Sequence, residues 1–340
     1  MTTKLDSPLD VTAILAELRQ AREPLGDGQN ASARIATMNF VIFVDDSAHR
    51  SWVVERAARV AGKHPSRSIV LDSSAPGIGV EVSTSVSSLG NGTVVNEHVS
   101  IGVKELDHAS IIRLTQELCV PGVPMFLWWS GARFLQSRTF SGLAETATGV
   151  LLDSSGKASD EETIRELGDF PARFPSVILR DLAFMRLAPW QDMIAQFFDD
   201  PALREDLFSI RSLHIESGSD AEALYLAGWF GSRLSWEPSD GRSFIDRLGK
   251  RVPFTMQHKG SRRRILAVRL TTDDSTYVAE LSNDDNNAVC LYVEGAKAKP
   301  MFCMPLQNID NALLIERAIL TCNRDQIFET SLVTVRDLIR

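Results

Sequence analysis

Cysteine is scarce: four in 340 residues, at positions 119, 290, 303 and 322, and no two form Cys-x-x-Cys. That argues against a disulfide-framed scaffold or a thiolate zinc site. Reduced, mostly buried thiols are the expected state. Cys290 and Cys303 could still meet across neighbouring strands and act as a redox pair, open to thiol control. Long apolar runs are missing too. The longest charge-free apolar segment, 118–132, is short for a membrane span and carries Pro121 and Pro124. The opening MTTKLDSPLDV has no apolar stretch after its single Lys, so no secretory signal is expected. Positive charge is in deficit, with 36 Lys and Arg against 44 Asp and Glu and a net charge of −8. Counterion release needs clustered positive charge, so nucleic acid is a poor partner. The expectation is a cytoplasmic protein with neither membrane nor nucleic acid as partner.

Catalytic signatures are equally absent. LGNG (89–92) and SGSD (217–220) lack the Gly-x-Gly-x-x-Gly spacing of a dinucleotide loop, and no Gly-x-x-x-x-Gly-Lys-Ser/Thr occurs. There is no His-Glu-x-x-His, no Gly-x-Ser-x-Gly and no paired-carboxylate signature. No catalytic residue, cofactor or metal is therefore expected.

What is present is tryptophan, concentrated. Five of the six occur in three short blocks: PGVPMFLWWSG (121–131), DLAFMRLAPWQD (181–192) and LAGWFGSRLSW (226–236). Indoles grouped with Arg, Pro and Gly at fixed offsets imply specified geometry.

The composition, 44% hydrophobic and 24% charged, is that of a globular chain with material for two cores. Residues 1–32 read as an amphipathic helix (9–22) and a Pro/Gly-rich linker. Residues 33–155 read as an α/β domain. Its strands are 38–44, 66–72, 79–86, 93–103, 124–129 and 148–154, with Ser47 and Asp107 opening helices. Residues 156–206 form a helical connector, helical at 160–167 and 180–187, with Pro189 opening a further helix. Residues 207–340 form a second α/β domain, with strands at 207–217, 263–272, 275–282 and 287–294 and helices at 220–235 and 309–321. The fold class is α/β (α+β), with two mixed-sheet domains. A similar β-α-β-β-β-α order in both suggests an internal duplication.

Each block has two readings. On a helix, Trp229 and Arg233 share a face, with Trp236 a turn further on. Gly228 and Gly231 leave a shallow track for another backbone. This is either a packed core helix or an exposed recognition face. Arg186 and Trp190 flank an elbow at Pro189, fit either for structural packing or for an interface. Trp128 and Trp129, adjacent on a strand, point to opposite sides, so both sides must be covered. His64, Ser66 and Arg67 sit between a helix and a strand. They are structural, or they clamp a phosphate or carboxylate. KGSRRR (259–264) is a solvated loop or a patch for an acidic partner.

These blocks resemble, in order, the glucose-6-phosphate dehydrogenase assembly protein OpcA family. The resemblance includes 33–44, 63–72, 121–129, 150–155, Asp181-Leu182, Arg186-Leu187, Pro189-Trp190, Ala227-Gly228-Trp229 and Ser232-Arg233-Leu234-x-Trp236, and runs over roughly 33–320. Phe184 and Gln191 depart from the family pattern, which has Trp and Arg there. The resemblance implies a non-catalytic protein that binds glucose-6-phosphate dehydrogenase, assists its oligomeric assembly and tunes it allosterically, serving NADPH supply through the oxidative pentose phosphate pathway. The family offers no catalytic residues to carry over. Arg186, Trp190, Trp229, Arg233 and Trp236 are inferred as partner-contact candidates. The alternative is a phosphosugar- or anion-binding enzyme or sensor using Arg67, Arg186 or Arg233.

Overall fold

The computed structural model describes residues 2–5, 10–22, 36–74, 79–89, 92–132, 134–156, 159–260, 264–282, 287–307, 310–321 and 323–340. The linker expected at 23–32 and the centre of KGSRRR lie outside the described residues. So does Cys322.

The chain begins β1 (Thr2–Leu5), α1 (Val11–Arg22), β2 (Met38–Val44), α2 (Ser47–Ala61), β3 (Ser66–Asp72), β4 (Val80–Leu89), β5 (Gly92–Gly102) and α3 (His108–Leu118). It continues β6 (Met125–Trp129), α4 (Arg138–Ala144), β7 (Gly149–Leu152), α5 (Asp160–Leu167), α6 (Phe170–Arg173), β8 (Ile178–Asp181), α7 (Leu182–Met185), α8 (Ala188–Gln196) and α9 (Pro201–Arg204). Then come β9 (Ser212–Ser217), α10 (Asp220–Leu234), β10 (Glu237–Ser239), β11 (Ser243–Ile245), β12 (Arg251–His258), β13 (Ile265–Thr271) and β14 (Ser275–Leu281). The last elements are β15 (Ala288–Gly295), β16 (Lys299–Pro305), α11 (Asn311–Leu320) and α12 (Gln326–Leu338).

Two compact units form, and both are discontinuous in sequence. Unit 1 is Met1–Asp153, Phe174–Arg180 and Asn311–Asn323; unit 2 is Ser154–Arg173, Asp181–Asp310 and Arg324–Arg340. The stretch 156–206, read from sequence as a separate connector, therefore divides between the units.

Unit 1 is built on a sheet of order β1-β4-β5-β3-β2-β6-β7-β8. The strands β5, β3, β2, β6 and β7 pair in parallel. Every residue of β2, β3, β6 and β7 is buried, as strands covered on both faces require, including the polar Ser66, Arg67, Ser68 and Asp72 of β3. Strands β4 and β5 make the expected antiparallel hairpin. The N-terminal helix docks on its own unit: Ile14 and Leu18 are fully buried, and Thr84 donates to the Ala21 carbonyl at 3.2 Å. The strand β1, which pairs with β4, was not foreseen. Trp128 and Trp129 part as expected. Trp128 meets Trp52 of α2 edge-on at 6.0 Å, while Trp129 stacks on Phe43 at 3.9 Å and meets Phe140 of α4 at 5.2 Å.

Unit 2 carries a sheet of order β10-β11-β12-β9-β13-β14-β15-β16, in which only β12 and β9 run parallel among the pairs described. Strand β9 alternates buried and half-buried residues, the pattern of a sheet packed on one face. Both units are thus mixed-sheet α/β. Strand order and pairing sense differ between them, so the repeated element order does not extend to topology. Helix α10 packs on α12 through its glycines. A Cβ on Gly228 would lie 2.5 Å from the Ser331 carbonyl oxygen, and one on Gly231 would lie 2.8 Å from Thr334. The track read as open to another backbone is filled by the chain's own last helix.

Several strands differ from the sequence reading. Residues 178–181 extend as β8 before α7 begins, because Asp181 takes the N-cap and accepts from Ala183 at 2.9 Å. Residues 205–208 form a 3₁₀ turn, so β9 starts only at Ser212. Helix α2 is capped by Asp46 rather than Ser47. Cys290 and Cys303, expected as reduced thiols, are joined by a disulfide, because the antiparallel register of β15 and β16 sets them directly opposite.

Candidate functional site

In doubly wound sheets, ligands bind outside the carboxyl ends of the strands where the order reverses. Here the first crossover passes from β2 to β3 and the later one returns to β6, so the reversal falls between β2 and β6. The loops at that point are Asp45-Asp46 and Ser130-Gly131-Ala132. Asp45 accepts the Ala132 backbone N–H at 2.7 Å. A Cβ on Gly131 would stand 3.2 Å from the Asp45 carboxylate and 2.9 Å from the Trp129 indole nitrogen, so this glycine permits a close approach. Asp46 caps α2 by accepting from Ala48 at 2.9 Å. That bond holds its carboxyl below the ordinary value, with His49 adding to it. At the end of β3, Asp72 binds Arg50 at 2.6 Å and Ser74 at 2.6 Å. A helix N-terminus of this kind favours an anion. In this chain the anion is its own carboxylate.

The anion candidates are likewise matched from within unit 1. Arg67, 8% exposed, donates to Glu97 at 2.5 Å and to the Leu118 carbonyl at 2.6 Å. The Ser66 N–H donates to Asn96 at 3.1 Å. His64 lies 3.4 Å from Glu316, which Lys63 also binds at 2.6 Å. The Lys63 hydrogen bond holds the Glu316 carboxyl below its ordinary value against the opposing effect of burial. A free anion here would displace a carboxylate. Glu316 lies 252 residues away from His64, which is why local sequence could not supply it.

The tryptophan–arginine candidates in unit 2 separate into two groups. Arg186 donates to Glu222 at 2.7 Å and to Ser155 at 2.6 Å. Beside it, Asp181 accepts from the Ser154 N–H at 3.1 Å and from the Tyr225 hydroxyl at 2.7 Å. Glu222 and Asp181 are 2% and 1% exposed, so this is an interior polar network. The sequence reading missed Asp181, Glu222 and Tyr225 as its members. Trp190 is 3% exposed. Trp236 is 6% exposed and packs on Phe230 and Phe244. Trp229 is half-buried and Arg233 exposed, on one face of α10. As positioned, Arg186, Trp190 and Trp236 brace unit 2, whereas Trp229 and Arg233 reach its surface. Among the described residues, no group of three His, Cys, Asp or Glu side chains is placed to hold a metal, and no helix is long and apolar enough to cross a membrane.

These features define an α/β protein with a doubly wound unit and a mixed-sheet unit. Residues 57–169 match the model of the glucose-6-phosphate dehydrogenase subunit N-terminal domain, and residues 178–332 match that of the C-terminal domain. The chain belongs to this family, the OpcA family. It is 31% identical over 144 residues to the OxPP cycle protein OpcA of Synechococcus elongatus, covering 42% of this chain and 32% of that protein. The OpcA protein of Synechocystis sp. is 35% identical over 124 residues, covering 36% of this chain and 26% of that one. The chain thus matches about a third or less of the length of these relatives. Among solved structures, a 3-ketoreductase from Actinomadura kijaniata with NADP and TDP-benzene is similar at a TM-score of 0.49 and 10% identity, covering 89% of this chain and 95% of that one. The transcriptional regulator Gal80p of Kluyveromyces lactis is similar at a TM-score of 0.49 and 10% identity, covering 90% and 92%.

Proposed function

We propose that this protein is a non-catalytic partner of glucose-6-phosphate dehydrogenase that binds the enzyme and favours its active oligomer in the oxidative pentose phosphate pathway, in the cytoplasm. The observation that carries this reading is the match of both halves of the chain to subunit domains of that dehydrogenase. The carboxylates at the sheet's reversal point support it, since Asp45 and Asp46 stand where a dinucleotide's phosphates would need donors. The effect on the enzyme is a population shift. Moving an oligomer from 1% to 99% active takes about 5.5 kcal/mol of differential affinity. Trp229 and Arg233 are the contact residues we favour, as an exposed arginine beside an indole suits a hot spot.

The test mixes the purified protein with the dehydrogenase from the same organism. Co-elution on size exclusion, with a changed dependence of rate on glucose 6-phosphate, is expected. Unchanged elution together with unchanged kinetics sinks the proposal. The anion-sensor alternative retains only Arg233 as an exposed cation, because Arg67 and Arg186 bind Glu97 and Glu222. Calorimetry with sugar phosphates at millimolar concentration separates it from the first reading.

A further inference from the structure

In unit 2 the chain leaves α8 through a 3₁₀ turn (Phe197–Asp199) and enters the short helix α9. Between this stretch and strands β15 and β16 lies a cavity of about 290 Å³, walled by Phe197, Leu203, Leu291, Val293 and Phe302. The first four are buried, whereas Phe302 is 51% exposed. A dry apolar cavity of about 150 Å³ holds benzene, so this one has room for a phenyl ring or a branched aliphatic side chain with its attached carbons. Two charges stand at its margin. The Lys299 ammonium meets the Asp200 carboxylate at 3.2 Å, and both side chains are half-exposed. Asp200 is fixed as the N-cap of α9, accepting from the Ala202 N–H at 2.9 Å. That bond holds its carboxyl below the ordinary value, with Lys299 adding to it, so the group stays ionised. Lys299 has three N–H donors, and this contact uses one. The neighbouring Lys297 is spent otherwise: it donates to Asp206 at 2.6 Å and to the Ala202 carbonyl at 3.2 Å, and Asp206 also accepts from the Tyr277 hydroxyl.

We propose that this cavity is a binding site for a free α-amino acid with a bulky apolar side chain, such as phenylalanine or leucine. The ligand's side chain enters among Leu203, Leu291 and Phe302 and covers the exposed ring of Phe302. Its α-carboxylate accepts from Lys299, and its α-ammonium donates to Asp200. The charges at the margin decide for a zwitterion. Lys299 and Asp200 sum to zero, so a lone anion sets a second negative charge beside Asp200, and a lone cation sets a second positive charge beside Lys299. One charge of each sign completes an alternating set of four. Opening the pair to admit the ligand costs little, because an exposed ion pair contributes little to stability. Charge-assisted hydrogen bonds then fix the ligand's orientation, while the apolar walls take up its side chain. The site uses neither Trp229 nor Arg233, so its failure leaves the functional proposal untouched.

Isothermal titration calorimetry on the whole chain tests it, with L-phenylalanine and L-leucine as the probes. Saturable one-to-one binding is expected. Hydrocinnamate lacks the ammonium and phenethylamine lacks the carboxylate. Each should bind at least about tenfold more weakly than L-phenylalanine, the loss of one hydrogen bond between charged groups. Lys299→Met and Asp200→Asn should each weaken L-phenylalanine at least about tenfold as well. The amide of Asp200→Asn keeps an oxygen to cap α9, so the fold is retained. Leu203→Trp should abolish binding by filling the cavity. The proposal is overturned if neither amino acid binds at millimolar concentration, or if hydrocinnamate or phenethylamine binds as tightly as L-phenylalanine. It is equally overturned if Lys299→Met and Asp200→Asn bind as the unmutated chain does. The two charge variants decide the matter even where Leu203→Trp fails to fold.

Discussion

Two Trp–Arg pairs, each four residues apart, have opposite fates. Arg186 and Trp190 flank the elbow where α7 gives way to α8, and there Pro189 opens the second helix. The turn brings Arg186 onto Glu222 and sends the indole inward. Trp229 and Arg233 lie on one uninterrupted helix, α10, and stay on its outer side. Equal spacing did not decide between inside and outside. A buried carboxylate on another element did, by giving one arginine an interior partner.

The most severe way to break this comparison is Arg186→Ala. It strips a buried carboxylate of its guanidinium and should cost about 3–5 kcal/mol in chemical denaturation. A loss under about 1 kcal/mol would place Arg186 with the surface residues instead. Trp190→Ala should also cost about 3–5 kcal/mol, through the void left by a buried indole. Gly228→Ala drives a methyl into the α12 backbone and should cost about 1–3 kcal/mol. Wild-type stability in that variant would mean α12 does not seat on α10 as described. Arg233→Glu should change stability by no more than about 0.5 kcal/mol while weakening dehydrogenase binding at least tenfold by titration. The smallest effect concerns unit 1. The folded-state pKa of Glu316 is depressed, so its stabilising contribution is present above the ordinary carboxylate range and lost as pH falls through the folded value. Lys63→Met should be less stable by about 0.5 kcal/mol at neutral pH, and the difference should close as pH falls through the folded-state value of Glu316 on a pH series of melts.

The same physics explains what the sequence could disclose. Strand β6 is an unbroken apolar run and β2 nearly one, interrupted by Asn39, and their burial on both faces follows directly. The opposed indoles of Trp128 and Trp129 follow from strand geometry alone. Strand β12 hides because Pro253 and polar residues interrupt it, although Val252 and Phe254 supply a buried face. Strand β16 hides because Pro300 and Pro305 suit only an edge. The candidate site was legible as a set of residues but not as a set of pairs. Glu97 lies 30 residues from Arg67, and Glu222 lies 36 from Arg186. Neither separation is set by helix or strand periodicity, so which arginine is satisfied inside can be known only from the fold.

The discontinuity of the two units bears on how the chain comes to be folded in time. Segment 311–323 completes unit 1, and segment 324–340 completes unit 2 by filling the glycine track on α10. Synthesis from the N-terminus ordinarily lets a first domain finish while the next is being made. Here neither can close until its late helix has left the ribosome, and those helices follow one another directly. Residues 311–340 thus supply a piece to each core in turn, and a nascent chain stalled before Asn311 would hold two unfinished cores at once.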